Sequence, residues 1–138
     1  MRANRSIPSS TIIPVLRYSD VPQAAAWLCR TFGFTERLRI GDHRVQLHVG
    51  DGAVVVADSG TENTAPLPTH AIMVRVADVD AHHIQADAAG AVILHLPTSY
   101  PYGERQYTAV DIGGHIWTFS QTVEDVEPAD WGGELLTP

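Results

Sequence analysis

Hydrophobic and polar positions alternate along the chain in two patterns, one typical of strands and one typical of helices. The same order of these patterns occurs twice. Short runs rich in β-branched residues predict strands, whereas apolar positions three and four residues apart predict one side of a helix. In the first half this pattern predicts a strand, a helix and three further strands. The predicted bounds are Ile12–Tyr18, a helix from Asp20 to Gly33, Thr35–Ile40, His43–Val49 and Ala53–Asp58.

The first predicted helix has recognisable ends. Asp20 is suited to the N-cap, and Gly33 is suited to the left-handed position that ends a helix. The stripe expected to face the core comprises Ala24, Trp27, Leu28 and Thr31. The aromatic residues assigned to the core are Trp27, Phe32 and Phe34.

The second half repeats this plan. Asp78 can cap a helix that ends at Gly90, and its expected buried face comprises Ala81, Ile84 and Ala88. Asp20 and Asp78 are 58 residues apart, and Gly33 and Gly90 are 57 apart. Two landmarks with nearly equal offsets predict a duplicated unit of about sixty residues. The strands predicted around this helix are Ala71–Val76, Ala91–Leu96, Arg105–Asp111 and His115–Gln121.

The duplication predicts an α+β fold made of two tandem βαβββ modules. We expect a single domain over residues 1–138, with module 1 at about 11–58 and module 2 at about 69–121. A linker is predicted at 59–68, because this segment is polar and rich in proline. The acidic tail, 122–138, is expected on the surface, with Trp131 packed against its own domain.

Composition and charge exclude several classes of partner. The formal net charge is −7, from 9 basic and 16 acidic residues, and no basic cluster interrupts the sequence, so nucleic acid is not an expected partner. No apolar run approaches the roughly 18 residues of a membrane span, and no membrane partner is expected. Cys29 is the only cysteine, which excludes an intrachain disulfide and a cysteine-based zinc site. We therefore expect a cytoplasmic protein.

The most specific motif is YGERQYTAVDIGGHIWTFSQ, from Tyr102 to Gln121, which contains the pattern Asp-x-x-Gly-His-x-Trp. It resembles the last hairpin of glyoxalase-like and bleomycin-resistance-like members of the vicinal-oxygen-chelate superfamily. The resemblance covers about residues 11–121, and Ile112 stands where many relatives carry proline. It implies a curved mixed β-sheet with the helices on the convex side and a ligand in a concave trough. Because strand residues alternate faces, Trp117 and Phe119 are expected to face a helix, and Ile116, Thr118 and Ser120 the trough.

The resemblance also implies where a divalent metal would be held, through His, Glu or Gln on the first and last strands of each module. The matching positions are Ile13, Val56, Ala71 and Thr118. Three of these side chains carry no lone pairs and threonine is a poor ligand, so we predict neither metal nor cofactor. A bulge could still bring His70 into the trough, which leaves a metal enzyme open as an alternative. His82 and His83 are adjacent on a helix and are not expected to chelate.

No catalytic residue is assigned, but several side chains could line a binding trough. Arg17 and Arg75 occupy matching positions and could orient an anionic or carbonyl-bearing ligand, although they could equally pair with surface carboxylates. A long loop, Pro97 to Gly103, is expected to carry aromatic contacts. The predicted ligand-binding residues are Arg17, His48, Arg75, Tyr100, Tyr102, Tyr107 and Thr118.

These expectations lead to one preferred function and two alternatives. The preferred hypothesis is a metal-free protein of the bleomycin-resistance type, which sequesters a small molecule in a trough between modules or at a dimer interface. The first alternative is a metal-dependent lyase, isomerase or dioxygenase of the same superfamily. The second is a structural or regulatory interaction module. The resemblance further implies a homodimer.

Overall fold

The computed structural model describes residues 2–60 and 70–136, which form two compact units with one four-stranded sheet each. Of these residues, unit 1 comprises 2–60 and 111–115, and unit 2 comprises 70–110 and 116–136. Each unit contains a strand, a helix and three strands in that order. The predicted α+β fold of two βαβββ modules is confirmed.

Unit 1 contains five elements: β1 (Val15–Tyr18), α1 (Val21–Phe32), β2 (Thr35–Ile40), β3 (Arg44–Val49) and β4 (Gly52–Asp58). The sheet order is β1-β4-β3-β2. The first strand runs parallel to β4, and the other pairs are antiparallel. This arrangement places β4 and β3 at the centre of the sheet.

The ends of α1 are those that the sequence predicts. The Asp20 carboxylate accepts a hydrogen bond from the Gln23 backbone N–H at 3.0 Å, and Gly33 ends the helix with a φ of 82°. All four residues of the predicted stripe are buried, as are Phe32 and Phe34. Burial of one whole side against β2, β3 and β4 stabilises this short helix far more than its intrinsic propensity does.

Unit 2 contains β5 (Ala71–Arg75), α2 (Val79–Ala88), β6 (Val92–Ser99), β7 (Glu104–Val110) and β8 (Ile116–Thr122), followed by a 3₁₀ turn at Pro128–Trp131. The sheet order is β5-β8-β7-β6, with β5 parallel to β8 and the rest antiparallel. Trp117 and Phe119 are fully buried, as their alternation along β8 predicts, and Tyr107 stacks on Phe119 at 5.2 Å.

The predicted buried face of α2 is wrong. Ala81, Ile84 and Ala88 are exposed, and Ile84 keeps 66% of its surface in solvent. The buried residues are instead Val79 and Ala86. Apolar side chains are spread around this helix, so two opposite stripes are almost equally hydrophobic and the sequence alone cannot choose between them.

Two strand bounds differ from the prediction by three residues, and the other differences are of one residue. The first strand begins at Val15 rather than Ile12, and β6 continues to Ser99 through Pro97. A proline is tolerated there because β6 lies at the edge of its sheet, where a missing N–H breaks no ladder. The expected long loop therefore shrinks to 100–103. Most of the predicted linker, from residue 61, lies outside the described residues.

No helix among the described residues is long and apolar enough to cross a membrane.

Candidate functional site

Each sheet has one face covered by its helix and an opposite face, which we call the open face. Strand pairing assigns residues to the open face, because paired residues point to the same side of a sheet. In unit 1 the buried Leu16 pairs with Val56 on the helix side, so the neighbouring pair of Val15 and Val55 lies on the open face. The other open-face residues of β1, β3 and β4 are Arg17, Arg44, Gln46, His48, Ala53 and Ala57.

Residues 5–8, which we call the arm, lie against the open face of sheet 1. The Gln46 side-chain amide donates to the Ser6 carbonyl at 2.9 Å, and Arg37 donates to the Arg5 carbonyl at 3.0 Å. Arg37 also donates to the Gln46 side-chain oxygen at 2.6 Å. With the arm in place, Gln46 and Val55 are each only 4% exposed. The sequence gives no periodic signal for this contact, and it was not predicted.

A cleft of about 330 Å³ lies between the arm and the open face of sheet 1. Most of its lining is aliphatic, and the polar side chains come from three residues. The lining residues are Ser6, Ile7, Pro8, Ile13, Val15, Ile40, Arg44, Gln46 and Val55. A volume of this size is at the lower end of the roughly 300–1,000 Å³ typical of small-molecule sites.

Two arginines lie in one row across sheet 1. Arg17 and Arg44 both pair with Ala57, one from each side, and therefore share the open face. The Arg17 guanidinium donates to the Asp58 carbonyl at 3.0 Å. Across residues 2–60 and 70–136, the Arg44 guanidinium makes neither a hydrogen bond nor an ion pair. His48 also lies on this face, exposed and near the end of β3.

The open face of sheet 2 carries a chain of polar side chains. Tyr102 donates to Gln106 at 3.3 Å, Gln106 donates to Ser120 at 3.0 Å, and Ser120 donates to the Glu104 carboxylate at 2.7 Å. Beside this chain, the Thr118 and Thr108 hydroxyls are 3.1 Å apart.

Arg75 pairs with Ser120 on the same open face of sheet 2 and is exposed. Within the described residues it has no carboxylate partner.

Two of the predicted aromatic residues form an exposed stack at the turn between β6 and β7. The rings of Tyr100 and Tyr102 are parallel with centroids 5.4 Å apart, and Trp131 of the tail meets Tyr102 edge-on at 5.6 Å. Gly103 allows the tail to approach this turn closely, because a Cβ there would lie 2.1 Å from the Glu124 carbonyl oxygen. Trp131 therefore packs within its own unit, as expected.

The structure corrects the prediction for Tyr107. This residue pairs with Phe119, so it faces α2 rather than the open face, and it is fully buried. Its hydroxyl is 2.5 Å from the Nδ1 atom of His82. Burial raises the pKa of Tyr107 above its ordinary value. Tyr107 belongs to the core of unit 2, together with His82, whose ring is tilted by 33° against Phe119 with the centroids 4.1 Å apart.

A second buried tyrosine holds the turn at residues 111–115 within unit 1. The Tyr18 hydroxyl donates to the Asp111 carboxylate at 2.5 Å, and the same carboxylate accepts from the backbone N–H groups of Gly113 and His115, each at 2.9 Å. Burial, followed by the charge of Asp111 and this hydrogen bond, raises the pKa of Tyr18 far above its ordinary value. His115 completes the cluster through a 2.9 Å contact with the Arg17 carbonyl.

The structure corrects one of the four residues that the resemblance assigns to a metal site. Val56 faces α1 and is fully buried, so the open-face equivalent of Thr118 is Val55. Five consecutive residues of β4, Ala53 to Ala57, are buried, so the strand lacks the alternation from which its faces could be read.

A divalent cation does not fit the resulting set of Ile13, Val55, Ala71 and Thr118, because it offers a single hydroxyl. The pairing of β5 with β8 is continuous from Ala71 to Arg75, so no bulge within β5 turns His70 towards the open face. In the part of the chain that is described, no three His, Cys, Asp or Glu side chains are grouped to hold a metal ion.

The predicted ligand-binding residues are thus distributed over both units. Arg17 and His48 lie on the open face of sheet 1, and Arg75 and Thr118 on that of sheet 2, whereas Tyr100 and Tyr102 form the exposed stack. Sequence reasoning placed Ser120 on the trough face but missed Arg44, Gln46, Glu104 and Gln106. Their polar side chains at alternate positions of β3 and β7 are a signal that could have found them.

Comparison with known proteins gives one family. The family model described as "Glyoxalase/Bleomycin resistance protein/Dioxygenase superfamily" matches residues 12–128. The crystal structure of TioX from Micromonospora sp. ML1 is 35% identical, with a TM-score of 0.70, and the match covers 83% of this chain and 99% of that one. No match was found among curated proteins.

Two less similar structures share the fold alone. Lactoylglutathione lyase from Agrobacterium tumefaciens is 20% identical, with a TM-score of 0.63, and the match covers 83% of this chain and 94% of that chain. The hypothetical protein SA1046 from S. aureus is 21% identical, with a TM-score of 0.67 and the same coverage of the two chains.

Proposed function

This chain belongs to the glyoxalase/bleomycin resistance protein/dioxygenase superfamily, and we propose that it is a metal-free member that binds a small molecule and keeps it chemically unchanged. The ligand lies against the open face of a sheet. The protein acts by sequestration, so its effect depends on affinity and on the amount of protein rather than on turnover.

The observation that carries this proposal is the chemistry of the open faces. Where the superfamily's enzymes carry His, Glu or Gln, this chain has Ile13, Val55, Ala71 and Thr118. Aliphatic groups at these positions supply apolar contact with a ligand, which is the main source of affinity in small-molecule sites. Arginines and hydroxyl groups on the same faces provide the few polar contacts that orient it.

The single cysteine is poorly suited to act as a nucleophile, which supports binding over catalysis. Cys29 lies on α1, and burial, followed by the nearby charge of Glu36, raises the pKa of its thiol. A raised pKa leaves less thiolate, which is the reactive form. The buried tyrosines are held as neutral hydroxyls by their raised pKa values and serve the core.

Equilibrium dialysis with and without a chelator tests the proposal. The full chain is dialysed against a panel of small aromatic anions, cations and neutral compounds, and each compound is recovered and analysed by mass spectrometry. We expect saturable retention of at least one compound, recovered intact, with the same affinity in EDTA. Conversion of a compound that stops on addition of EDTA would overturn the proposal in favour of a metal-dependent lyase, isomerase or dioxygenase.

We also propose that the protein is a cytoplasmic homodimer. Exposed apolar side chains on sheet 2 are the surface that a second copy would cover: Met73, Val92 and Leu96 are 63%, 62% and 66% exposed. Sedimentation velocity over a range of concentrations measures this directly. A monomer at every concentration would remove the homodimer and leave the binding proposal intact.

A further inference from the structure

We infer that the cleft between the arm and the open face of sheet 1 is a binding site for a small monoanion with an apolar body, such as an aromatic carboxylate, whose charge is taken by Arg44. This inference rests on the proposed function and adds to it the chemical class and location of the ligand. The arm acts as one wall of the site.

The shape of the cleft suits an apolar body. Aliphatic side chains line it on three sides. The arm contributes Ile7 and Pro8, and β1 with the segment before it contributes Val15 and Ile13. The rest of the sheet contributes Ile40 and Val55. A volume of about 330 Å³ accommodates one small molecule rather than a peptide segment. Transfer of a planar hydrocarbon from water to such a surface is favourable at roughly 25 cal/mol per Å².

Arg44 is the cationic group that remains available. Gln46, the other polar side chain of the sheet in this cleft, already uses both ends of its amide, towards Arg37 and the Ser6 carbonyl. Arg44 is half-buried and, among the residues that the structure describes, has neither a hydrogen bond nor an ion pair. A guanidinium beside an apolar surface gains most from a carboxylate, because both are planar and can form two parallel hydrogen bonds.

The charged groups at the cleft itself favour an anion, although the whole chain has a net charge of −7 and unit 1, with seven arginines and six described acidic residues, is close to neutral. All nine basic residues are arginines, and seven of them precede residue 61, whereas ten of the sixteen acidic residues follow residue 70. No acidic residue is among those that line the cleft in the described chain. Arg17, in the same row as Arg44, adds to the positive potential of this face.

The arm is held by contacts that a ligand leaves intact. Arg37 and Gln46 bind the backbone carbonyls of Arg5 and Ser6, so any residues could occupy these two positions of the arm. The side chain of Ile7, which is 50% exposed, is then free to close over the apolar body of a ligand. Hydrogen bonds to the backbone therefore hold the arm on the sheet, and the Ile7 side chain provides the apolar contact with a ligand.

Titration of the ¹⁵N-labelled full chain with 2-naphthoate, followed by NMR, tests the inference. We expect saturable shifts of the Ile7, Val15, Ile40 and Val55 amides. The neutral 2-naphthamide should bind at least about ten-fold more weakly, because it loses the charge-assisted hydrogen bonds. Equal affinity for the two compounds, or shifts confined to sheet 2, would overturn the inference while leaving a small-molecule function in place.

Two pairs of variants sharpen this test. Arg44→Gln should weaken 2-naphthoate at least about ten-fold, whereas Arg30→Gln, which removes the same charge from the exposed end of α1, should leave affinity unchanged. Ile7→Ser should weaken both naphthalene compounds, whereas Ile12→Ser, which lies outside the cleft and is 81% exposed, should weaken neither. Wild-type affinity in Arg44→Gln would contradict the assignment.

The comparison of 2-naphthoate with 2-naphthamide uses the wild-type chain. It therefore decides the question even if Arg44→Gln does not fold.

Discussion

In unit 1, residues 5–8 cover the face of the sheet opposite the helix, and the central residues Gln46 and Val55 are almost fully buried beneath them. In unit 2 the corresponding face carries Met73, which is 63% exposed, and a chain of hydroxyl, amide and carboxylate groups. The same topology therefore presents an apolar, arginine-bearing cleft in one unit, and in the other a mixed surface on which polar side chains lie beside exposed apolar residues.

The two helices also differ in how much of their surface they bury. Seven residues of α1 are buried, whereas α2 buries Val79 and Ala86 and places two histidines partly against the core. Duplication fixes the order of strands and the caps at Asp20 and Asp78, but each unit fills its core in its own way. The core of unit 1 combines aliphatic residues with the aromatic cluster of Trp27, Phe32 and Phe34. The core of unit 2 depends on the aromatic stack of Tyr107, Trp117 and Phe119.

The largest expected difference between the units concerns their helices. Leu28→Ala should lower the free energy of unfolding by about 2–5 kcal/mol, because Leu28 is fully buried and the substitution leaves a cavity. Ile84→Ala should change it by less than about 0.5 kcal/mol, because Ile84 is 66% exposed. Urea denaturation measures both. Similar losses in the two variants would mean that α2 buries the opposite face from the one described.

A smaller difference in stability is expected when either of two glycines with the same φ is replaced by alanine. Gly103 in unit 2 and Gly114 in unit 1 both have a φ of 86°, but only Gly103 would place a Cβ against a backbone oxygen. Gly114→Ala should cost about 1 kcal/mol for the left-handed conformation alone, and Gly103→Ala at least about twice that. Thermal unfolding checks the order. Equal losses would show that the tail does not pack on this turn.

The two buried tyrosines provide a third comparison. Tyr18→Phe should cost about 1–3 kcal/mol, because it removes the donor to the buried Asp111 carboxylate. Tyr107→Phe should cost about 0.5–1.5 kcal/mol, because it removes a neutral hydrogen bond to the half-buried His82. The reverse order in urea denaturation would contradict the assigned roles.

The smallest expected effect is a loss of folding stability at alkaline pH. The folded chain holds the Tyr18 and Tyr107 protons more tightly than the unfolded chain, in which tyrosine titrates near pH 10. Their contribution to stability is therefore complete below about pH 10 and is lost as the pH rises further. The sequence contains no lysine to titrate in this range.

Denaturation between pH 9 and 11 measures this dependence. By pH 11 the wild type should lose roughly 1 kcal/mol more than Tyr18→Phe, since one pKa unit corresponds to about 1.4 kcal/mol. Parallel curves for the two proteins would show that Tyr18 does not contribute.

Much of the fold could be predicted because local signals agree with the tertiary structure. Asp20, Gly33 and Asp78 act at helix ends as their side chains or backbone freedom predict, and the alternation along β8 correctly placed Trp117 and Phe119. The motif at the last hairpin, with the repeated order of elements, was sufficient to identify the superfamily.

The parts that could not be predicted depend on what covers each face. The buried run in β4 hides which of Val55 and Val56 faces the helix, and only the pairing with Leu16 resolves it. The arm contacts the sheet largely through its backbone carbonyls, which leave no trace in the sequence. Tyr107 lies in the core because it pairs with Phe119 on the neighbouring strand. The pattern of a single strand does not show how that strand is paired with the next one.

Metal content most directly tests the claim that the protein binds its ligand without a metal. Tag-free protein, purified without chelator and then incubated with nickel, zinc, iron or manganese, is desalted and analysed by inductively coupled plasma mass spectrometry. We expect far less than one ion per chain under every condition, and a melting temperature that neither metal nor EDTA changes. One tightly held ion per chain, removed by EDTA with a fall in melting temperature, would contradict the account.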